Sequence, residues 1–266
     1  MLIFGIFSII LITAKSNTTE DIMEKDNTLS QISRSVNNSS ADTKALSKQI
    51  SEYINGNSLS QIAQNLQQIE ALMSCYRCAI MEVETKFRVL NEQFSLSHER
   101  NPIDSIKTRL KSPESIIGKL NRKNYPNTIN SIEENIKDVA GIKVICSFID
   151  DIYMLADCLL QQDDIKLIER KDYIKNPKGN GYRSLHLIVE IPIFLQDEKR
   201  LMKVEVQLRT IAMEFWANLE HKLRYKKNLS EKTANLTAKE LSECAQMSAI
   251  LDEKMQRVRD EIENSD

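Results

Sequence analysis

The sequence has no excess of charge of either sign, and that absence limits the partners that the protein can attract. Its 36 Lys and Arg nearly balance its 38 Asp and Glu, which leaves a net charge of −2 over 266 residues. Such a chain has no broad basic field for DNA or for an anionic membrane, so any attraction for anions must come from a local cluster of cations. The length and the 41% apolar content suit one large globular domain or two small ones.

Cysteines are few, and a long apolar run is missing. The five cysteines are odd in number, which favours a reducing compartment over a disulfide framework. Cys75 and Cys78 form a single C-x-x-C inside a helical pattern, and without a second such pair they do not favour zinc or redox chemistry. The apolar residues 1–13 are fewer than the roughly 20 of a membrane span. We expect a cytoplasmic protein, with a weak membrane tether through residues 1–14 as an open alternative.

Hydrophobic spacing predicts an extension, a mixed α/β core and a helical tail. Residues 1–58 are apolar at first and then rich in Ser, Asn, Thr and Gln, which predicts a poorly ordered extension. Apolar residues at helical spacing predict a long helix from Leu59 that ends before Pro102. The same criteria predict a second helical stretch from residue 103, a new helix at Pro113, and helices over 149–161, from 211 onward and over 237–262.

Alternation of apolar and polar residues predicts strands over 141–148, 165–174, 184–194 and 200–210. The last strand places Met202, Val204, Val206 and Leu208 on one face and Lys203, Glu205, Gln207 and Arg209 on the other. In the helix after it, Phe215 and Trp216 are predicted to belong to the core. The order of elements predicts an α/β or α+β fold, a mixed β-sheet flanked by helices, with long N- and C-terminal helices.

The stretch PKGNGYRSLH (residues 177–186) contains a Gly-x-Gly but lacks the spacing of a phosphate-binding glycine loop. A P-loop has four residues between its glycines, and a dinucleotide fingerprint has a third glycine that opens a helix. Here Gly179 and Gly181 precede a strand, so they suit a turn that presents Tyr182. With Lys178 and Arg183 beside it, Tyr182 could stack on a base whose phosphates are held nearby. An ordinary hairpin with a half-buried Tyr is the alternative.

A local cationic stripe lies within residues 107–123. Ser115, Lys119 and Arg122 are spaced to share one face of a helix. Triphosphate binding needs several convergent donors of this kind, whereas a solvated basic helix explains the stripe without a ligand.

Two carboxylates are candidate metal ligands. Asp138 comes just before the strand of Lys143, and Glu205 lies on the polar face of another strand. If the two converge, they could hold Mg²⁺, which prefers oxygen ligands and keeps substrate phosphates in its shell.

Five motifs, in this order, closely resemble the synthetase domain of RelA/SpoT-type enzymes: RLKSPESIIGKL, KDVAGIKVICSFIDDIY, KDYIKNPKGNGYRSLH, VEVQLRT and MEFWANLEHKLRYK. The resemblance covers about residues 75–230. Without a His-Asp hydrolase signature, the chain resembles a stand-alone small alarmone synthetase of the RelQ type. That family has a nucleotidyltransferase-like fold. It transfers the β,γ-pyrophosphate of ATP to the 3′-hydroxyl of GDP or GTP, which yields ppGpp or pppGpp and AMP in the stringent response.

The resemblance implies a role for each candidate residue. Asp138 and Glu205 would be the catalytic pair and hold Mg²⁺, with Glu205 also the base or orienter of the 3′-hydroxyl. The implied ATP-binding residues are Arg109, Ser115, Lys119, Arg122 and Lys143. The implied GDP- or GTP-binding residues are Lys171, Lys178, Tyr182, His186, Gln207, Glu214 and Glu220, and GMP is a further candidate acceptor. Lys143 departs from the family, which often has an adenine-stacking Arg there.

The resemblance also implies an organisation. Residues 59–230 would form the synthetase domain, and the amphipathic helix within 231–266 would join copies into a homotetramer, in which an allosteric alarmone site stays an open question. Two other functions stay open. A tRNA 3′-end pyrophosphokinase of the same superfamily would need a broad basic surface, which the neutral charge disfavours. A catalytically silent nucleotide- or RNA-binding module would not need both Asp138 and Glu205.

Overall fold

The computed structural model describes residues 59–98, 101–224 and 231–265, so the predicted extension lies outside the described residues. Two units divide the chain, Met1–Met73 and Ser74–Asp266, and the sheet and the site belong to the second. The elements are α1 (Leu59–His98), β1 (Ile103–Leu110), α2 (Pro113–Arg122), α3 (Ile129–Asn135), β2 (Ala140–Cys146), α4 (Ile149–Leu160), β3 (Lys166–Asp172), β4 (Leu185–Phe194), β5 (Lys199–Thr210), α5 (Ile211–Arg224) and α6 (Glu231–Glu263). No helix within these ranges has an apolar stretch long enough to cross a membrane.

The five strands form one mixed sheet in the order β1-β2-β5-β4-β3. The central neighbours β2 and β5 are parallel, and the other three pairs are antiparallel. Together with the long helices α1 and α6, this sheet confirms the predicted fold class.

Alternation along the central strands separates an apolar face from a polar one. Val144 on β2, Val189 on β4 and Val206 on β5 are fully buried. Helix α4 contacts β2 and β5 and buries Leu155 and Leu159 completely. Burial of apolar side chains between sheet and helix is the main stabilising contribution to such a layer.

The prediction of a helix from residue 103 is wrong, because residues 103–110 form strand β1. β1 lies at the edge of the sheet and pairs antiparallel with β2. On this edge strand Lys107, Thr108 and Arg109 are all exposed, so the period of two that marks a half-buried strand is lost. Hydrogen bonding to β2 decides the conformation here, as tertiary context often does for strands.

The predicted core position of Phe215 is also wrong, whereas Trp216 does lie in the core. Phe215 is 65% exposed and Trp216 is 5% exposed. Consecutive residues of a helix point about 100° apart, so one can face the core while its neighbour faces away. The apolar residues Ile211, Phe215, Leu219 and Leu223 share the outward side of α5, and all four are exposed.

Candidate active site

One face of the sheet, called here the polar face, gathers predicted site residues from all five strands. Residues directly opposite each other on paired strands point to the same face. Glu205 of β5 lies opposite Gly141 of β2, and Gln207 lies opposite both Lys143 of β2 and His186 of β4. The register extends outward to β1 and β3, so six predicted residues share the polar face: Arg109, Lys143, Lys171, His186, Glu205 and Gln207.

Asp138 lies at the entrance to β2, where two lysines bind its carboxylate. Lys119 of α2 donates to Asp138 Oδ1 at 2.9 Å, and Lys111, which follows β1, donates to Oδ2. Burial raises the pKa of Asp138, but the two lysine hydrogen bonds outweigh it and hold the pKa below its usual value. Asp138 is therefore an ionised carboxylate surrounded by cations, which suits a site for metal and polyphosphate.

Helix α2 presents the remaining predicted phosphate-binding residues. Ser112 caps the helix by accepting a hydrogen bond from the Ser115 backbone N–H at 3.3 Å, and Pro113 begins its first turn. Ser115 and Arg122 are exposed, whereas Lys119 is half-buried and turned to Asp138. The start of the helix at Pro113 confirms the sequence prediction, and its cationic side adjoins the metal-binding candidate.

Glu205 belongs to a closed ring of five hydrogen-bonded side chains. Gln207 Nε2 donates to Glu205 Oε2 at 2.9 Å, and Gln207 Oε1 accepts from Arg209 Nη2 at 2.9 Å. The same Arg209 nitrogen donates to the Tyr182 hydroxyl, which lies 2.8 Å from His186 Nε2. His186 Nδ1 closes the ring 3.5 Å from Glu205 Oε1. We call this set the Glu205 ring.

The pKa of Glu205 is lowered by its surroundings. Burial raises this pKa, but the hydrogen bond and charge of His186 and the hydrogen bond from Gln207 together lower it by more than burial raises it. The charge of Asp138 acts in the opposite direction and raises the pKa of Glu205. A carboxylate just before β2 and another on its parallel neighbour β5 are a donor set that fits Mg²⁺ together with substrate phosphates. Within the described ranges no group of three or more His, Cys, Asp or Glu is arranged to hold a metal by itself.

Glu214 of α5 lies over the polar face, where three cations surround it. Its Oε1 accepts from Lys143 at 2.8 Å and from Lys107 at 3.4 Å, and its Oε2 accepts from Arg209 at 2.8 Å. The residue is 5% exposed. Burial raises the pKa of Glu214, but Lys143 and Arg209 lower it by more than burial raises it, so the pKa lies below its usual value.

We predict that Glu214→Gln lowers the free energy of unfolding at pH 7 by about 1.5–3 kcal/mol, because it removes the charge that accepts hydrogen bonds from the buried Arg209 and the half-buried Lys143. Since the folded pKa is depressed, the carboxylate stabilises the fold above its unfolded pKa of about 4.3, and this stabilisation is lost as pH falls through the folded pKa. Denaturant unfolding at pH 7 and pH 4 measures this contribution, and the free energies of unfolding of wild type and Glu214→Gln should differ less at pH 4. Glu84→Gln, which alters an exposed helix pair with Arg88, is the control. A constant difference at both pH values contradicts the prediction.

The glycine loop, residues 177–184, forms a tight turn before β4. The Gly181 N–H donates to the Lys178 carbonyl at 2.8 Å, and Gly181 has a φ of +90°, which non-glycine residues rarely adopt. Lys178 Nζ lies 4.7 Å from the ring centroid of Tyr182 and 4.6 Å from that of Tyr173. The Lys178 cation thus lies over the ring to which the sequence assigns a base-stacking role, and a base stacked on the same face would have to displace it.

The other side of the glycine loop packs against α5 and α6. Tyr182 contacts a small cluster formed by Trp216, Ala217 and Ala245. Trp216 donates its indole N–H to the Leu241 carbonyl at 2.8 Å and so ties α5 to α6. Glu220, also on α5, accepts a hydrogen bond at 3.4 Å from the loop residue Asn180. Of the predicted residues, Glu220 is thus brought to the loop and Glu214 to the polar face.

The comparisons with known proteins agree with this geometry. A family profile described as "Region found in RelA / SpoT proteins" matches residues 108–230. The chain is 46% identical over 188 residues to GTP pyrophosphokinase YwaC of Bacillus subtilis, which covers 71% of this chain and 89% of that protein. The chain belongs to the RelA/SpoT family.

Two solved structures place the chain among the small alarmone synthetases of this family. The small alarmone synthetase 2 of Bacillus subtilis superimposes with a TM-score of 0.64 at 41% identity and covers 72% of this chain and 98% of its own. The small alarmone synthetase 1 of the same organism, solved bound to its product pppGpp, gives a TM-score of 0.66 at 33% identity. The match covers 74% of this chain and 98% of the chain in that structure.

Sequence reasoning about the RelA/SpoT motifs missed two residues of the site. Lys111 binds Asp138, and Arg209 is the centre of the contacts among Tyr182, Gln207 and Glu214. The sequence contains a signal for each of these two residues. Lys111 belongs to the cationic stripe, and alternation along β5 puts Arg209 on the polar side with Glu205 and Gln207.

Proposed function

We propose that this protein is a GTP pyrophosphokinase that makes the alarmones ppGpp and pppGpp. The observation that carries the proposal is the pair formed by Asp138, just before β2, and Glu205, on the parallel neighbour β5. Lys111 and Lys119 bind the first carboxylate, and the second belongs to the Glu205 ring. Membership of the RelA/SpoT family and the name of the Bacillus subtilis relative support it.

In the proposed reaction the 3′-hydroxyl oxygen of GDP or GTP attacks the β-phosphorus of ATP, and the bond from that phosphorus to the α,β-bridging oxygen breaks. AMP leaves with the electron pair of that bond. Such transfers need positioning and charge neutralisation more than covalent help from the protein. Asp138 and Glu205 would hold Mg²⁺, which supplies neutralisation of phosphate charge when bound. Glu205 would accept the proton of the attacking hydroxyl.

We infer that the remaining residues divide between donor and acceptor. Arg109 would stack on adenine, and Ser115, Lys119 and Arg122 would bind the ATP phosphates, to which we add Lys111. For the acceptor, Tyr182 would stack on guanine while Lys171, Lys178 and His186 lie near its phosphates. Gln207, Glu214 and Glu220 would complete the acceptor pocket. Both ATP and guanine nucleotides are abundant in the cytoplasm, which we propose as the location.

The experiment that tests the function uses purified full-length protein with Mg²⁺ and ATP labelled in its β- and γ-phosphates. GMP, GDP, GTP and tRNA are offered separately, and the products are resolved. Label in a guanine nucleotide, with one AMP released per transfer, is the expected result. Label on tRNA would instead establish tRNA 3′-end pyrophosphorylation. Transfer to none of these acceptors would leave a nucleotide-binding module.

We predict that Lys143→Arg lowers the KM for ATP or sharpens selection of adenine over other donor bases. Lys143 shares the polar face with Arg109 and pairs with Glu214 at 2.8 Å. A guanidinium keeps that ion pair and adds a planar surface for stacking, which an ammonium lacks. Steady-state kinetics with ATP and with a second purine triphosphate measure the change, and Lys137→Arg, at a lysine paired with Glu169, is the control. Unchanged ATP kinetics and base selectivity in Lys143→Arg would contradict the prediction.

We further propose that residues 59–230 are the synthetase domain and that α5 and α6 join copies of the chain into a homotetramer. The outward stripe of α5 (Ile211, Phe215, Leu219 and Leu223) is 40–65% exposed. On α6, Met247, Ile250, Leu251, Met255, Val258 and Ile262 are 48–67% exposed. Apolar area of this extent on two neighbouring helices is typical of a protein interface.

We predict that Phe215→Asp lowers the molar mass in solution, because a charge at the centre of the α5 stripe would be buried without a partner. Light scattering coupled to size-exclusion chromatography measures the mass. Phe194→Asp is the matched control, since Phe194 is 74% exposed at the end of β4 and belongs to neither α5 nor α6. A Phe215→Asp protein of wild-type mass would place the interface elsewhere.

A further inference from the structure

We propose that Arg209 is a positioning residue that orients the Gln207 amide toward Glu205 and holds the acceptor-binding side chains Tyr182 and Glu214 in place. Arg209 was assigned no role by the sequence motifs, and it does not belong to the carboxylate pair or to the phosphate-binding cations. The proposal rests on the proposed function, because it assigns Arg209 to the acceptor half of that site.

The Arg209 guanidinium contacts three residues to which acceptor binding is assigned. Its Nη1 donates to Glu214 Oε2 at 2.8 Å. Its Nη2 donates to Gln207 Oε1 at 2.9 Å and also to the Tyr182 hydroxyl. With 6% of its surface exposed, Arg209 is held between β5, α5 and the glycine loop.

Two chains of contacts run from Arg209 to the two oxygens of Glu205, and the direction of the first is fixed. Arg209 can only donate, so the oxygen of the Gln207 amide must face it. The amide nitrogen of Gln207 then faces Glu205 Oε2, to which it donates at 2.9 Å. Arg209 thereby determines which end of the Gln207 amide meets the base.

The second chain passes through the glycine loop. The Tyr182 oxygen accepts from Arg209 and lies 2.8 Å from His186 Nε2, so the hydroxyl joins the guanidinium to the imidazole. His186 Nδ1 in turn lies 3.5 Å from Glu205 Oε1. Both oxygens of the base are therefore linked to one guanidinium, one through Gln207 and the other through Tyr182 and His186.

Stability alone does not explain an arginine at this position. Arg209 Nε is buried and has no hydrogen-bond partner among the described residues. A buried donor without a partner destabilises the fold, and buried ion pairs are often no more stable than apolar replacements of the same size. Three partners in different directions require the planar fork of a guanidinium, which a lysine ammonium does not reproduce.

The test compares Arg209→Met with Arg200→Met in the full-length protein. Arg200 lies on the same strand, is 30% exposed through its side chain and pairs with Glu133 at 2.6 Å, far from the Glu205 ring. We expect Arg209→Met to raise the KM for GDP and lower kcat, each by about tenfold or more, the size that loss of charged hydrogen bonds predicts. Binding of a non-hydrolysable ATP analogue should stay within about twofold of wild type in both variants.

A double-mutant cycle with Tyr182→Phe separates positioning from a general loss of structure. Tyr182→Phe removes the hydroxyl that relays the second chain and keeps the ring. If Arg209 acts through that hydroxyl, Tyr182→Phe should change the KM for GDP much less in the Arg209→Met background than in wild type. Arg209→Lys keeps the charge and the pair with Glu214, and it serves if the Met variant does not fold. We expect it to retain stability and still lose use of GDP.

The outcomes separate this inference from the proposed function. A wild-type protein that transfers no pyrophosphate to guanine nucleotides refutes the function. An active wild type whose Arg209→Met and Arg209→Lys variants have the GDP kinetics of Arg200→Met refutes the role of Arg209. Strictly additive effects of Arg209→Met and Tyr182→Phe would also refute it, because a relay through the hydroxyl requires coupling.

Discussion

Glu205→Gln is expected to lower turnover by about 10³-fold while nucleotide binding persists, the range typical for loss of a general base. The amide has the same shape, so it still bonds to Gln207 and lies beside His186. It no longer carries the charge that would hold Mg²⁺ or accept the proton of the 3′-hydroxyl. Initial rates with ATP and GDP, and calorimetric binding of each nucleotide alone, measure the two properties separately.

The chain offers a matched control for this substitution on the same sheet. Glu190 lies on β4, two residues beyond Ile188, which is opposite Glu205, so it points to the same face one position farther along. Its carboxylate lies 3.9 Å from Lys166 of β3 and contacts none of the Glu205 ring in the described structure. Glu190→Gln should keep wild-type turnover. Near-wild-type turnover of Glu205→Gln would instead remove Glu205 from the catalytic pair.

The residues of the polar face were predictable because a strand alternates with a period of two. Glu205 and Gln207 fall on one side of β5 whatever the rest of the fold does, and the charges around them are visible in the sequence. The same reasoning fails at β1, because side chains on both faces of this edge strand are exposed and the apolar-polar alternation is lost. Alternation also says nothing about which helix covers a sheet face, so the enclosure of Glu214 by Lys143 and Arg209 emerges only from the structure.

Contacts between distant segments are the other part that sequence reasoning does not reach. The glycine loop was recognisable as a turn, because two glycines precede a strand. That the turn lies against α6, more than sixty residues later, depends on how α5 and α6 pack. This contact determines which of the two glycines can be replaced by a larger residue.

Gly181→Ala is expected to raise the KM for the guanine acceptor by about tenfold or more and to destabilise the fold by about 1–3 kcal/mol, the cost of a strained backbone residue. Gly181 has a φ of +90°, and a Cβ built on it would lie 2.5 Å from Ala245 Cβ on α6. Either the loop or the helix must shift, because close-packed side chains leave no room. Tyr182 is the next residue, so a shifted loop displaces both its ring and its hydroxyl. Acceptor kinetics and denaturant unfolding measure the two effects.

Gly179→Ala is the control for Gly181→Ala, because a Cβ at Gly179 meets no atom within 4 Å and the residue has no positive φ. Gly179→Ala should leave the acceptor KM unchanged.

The double variant Gly181→Ala/Ala245→Gly separates the two causes of the defect in Gly181→Ala. Removing the Ala245 methyl group leaves the next atoms 3.8 Å from the new Cβ, so the contact is relieved while the backbone strain persists. Partial rescue by Ala245→Gly would show that α6 positions Tyr182 through this contact. No rescue would assign the whole defect to the backbone conformation of Gly181.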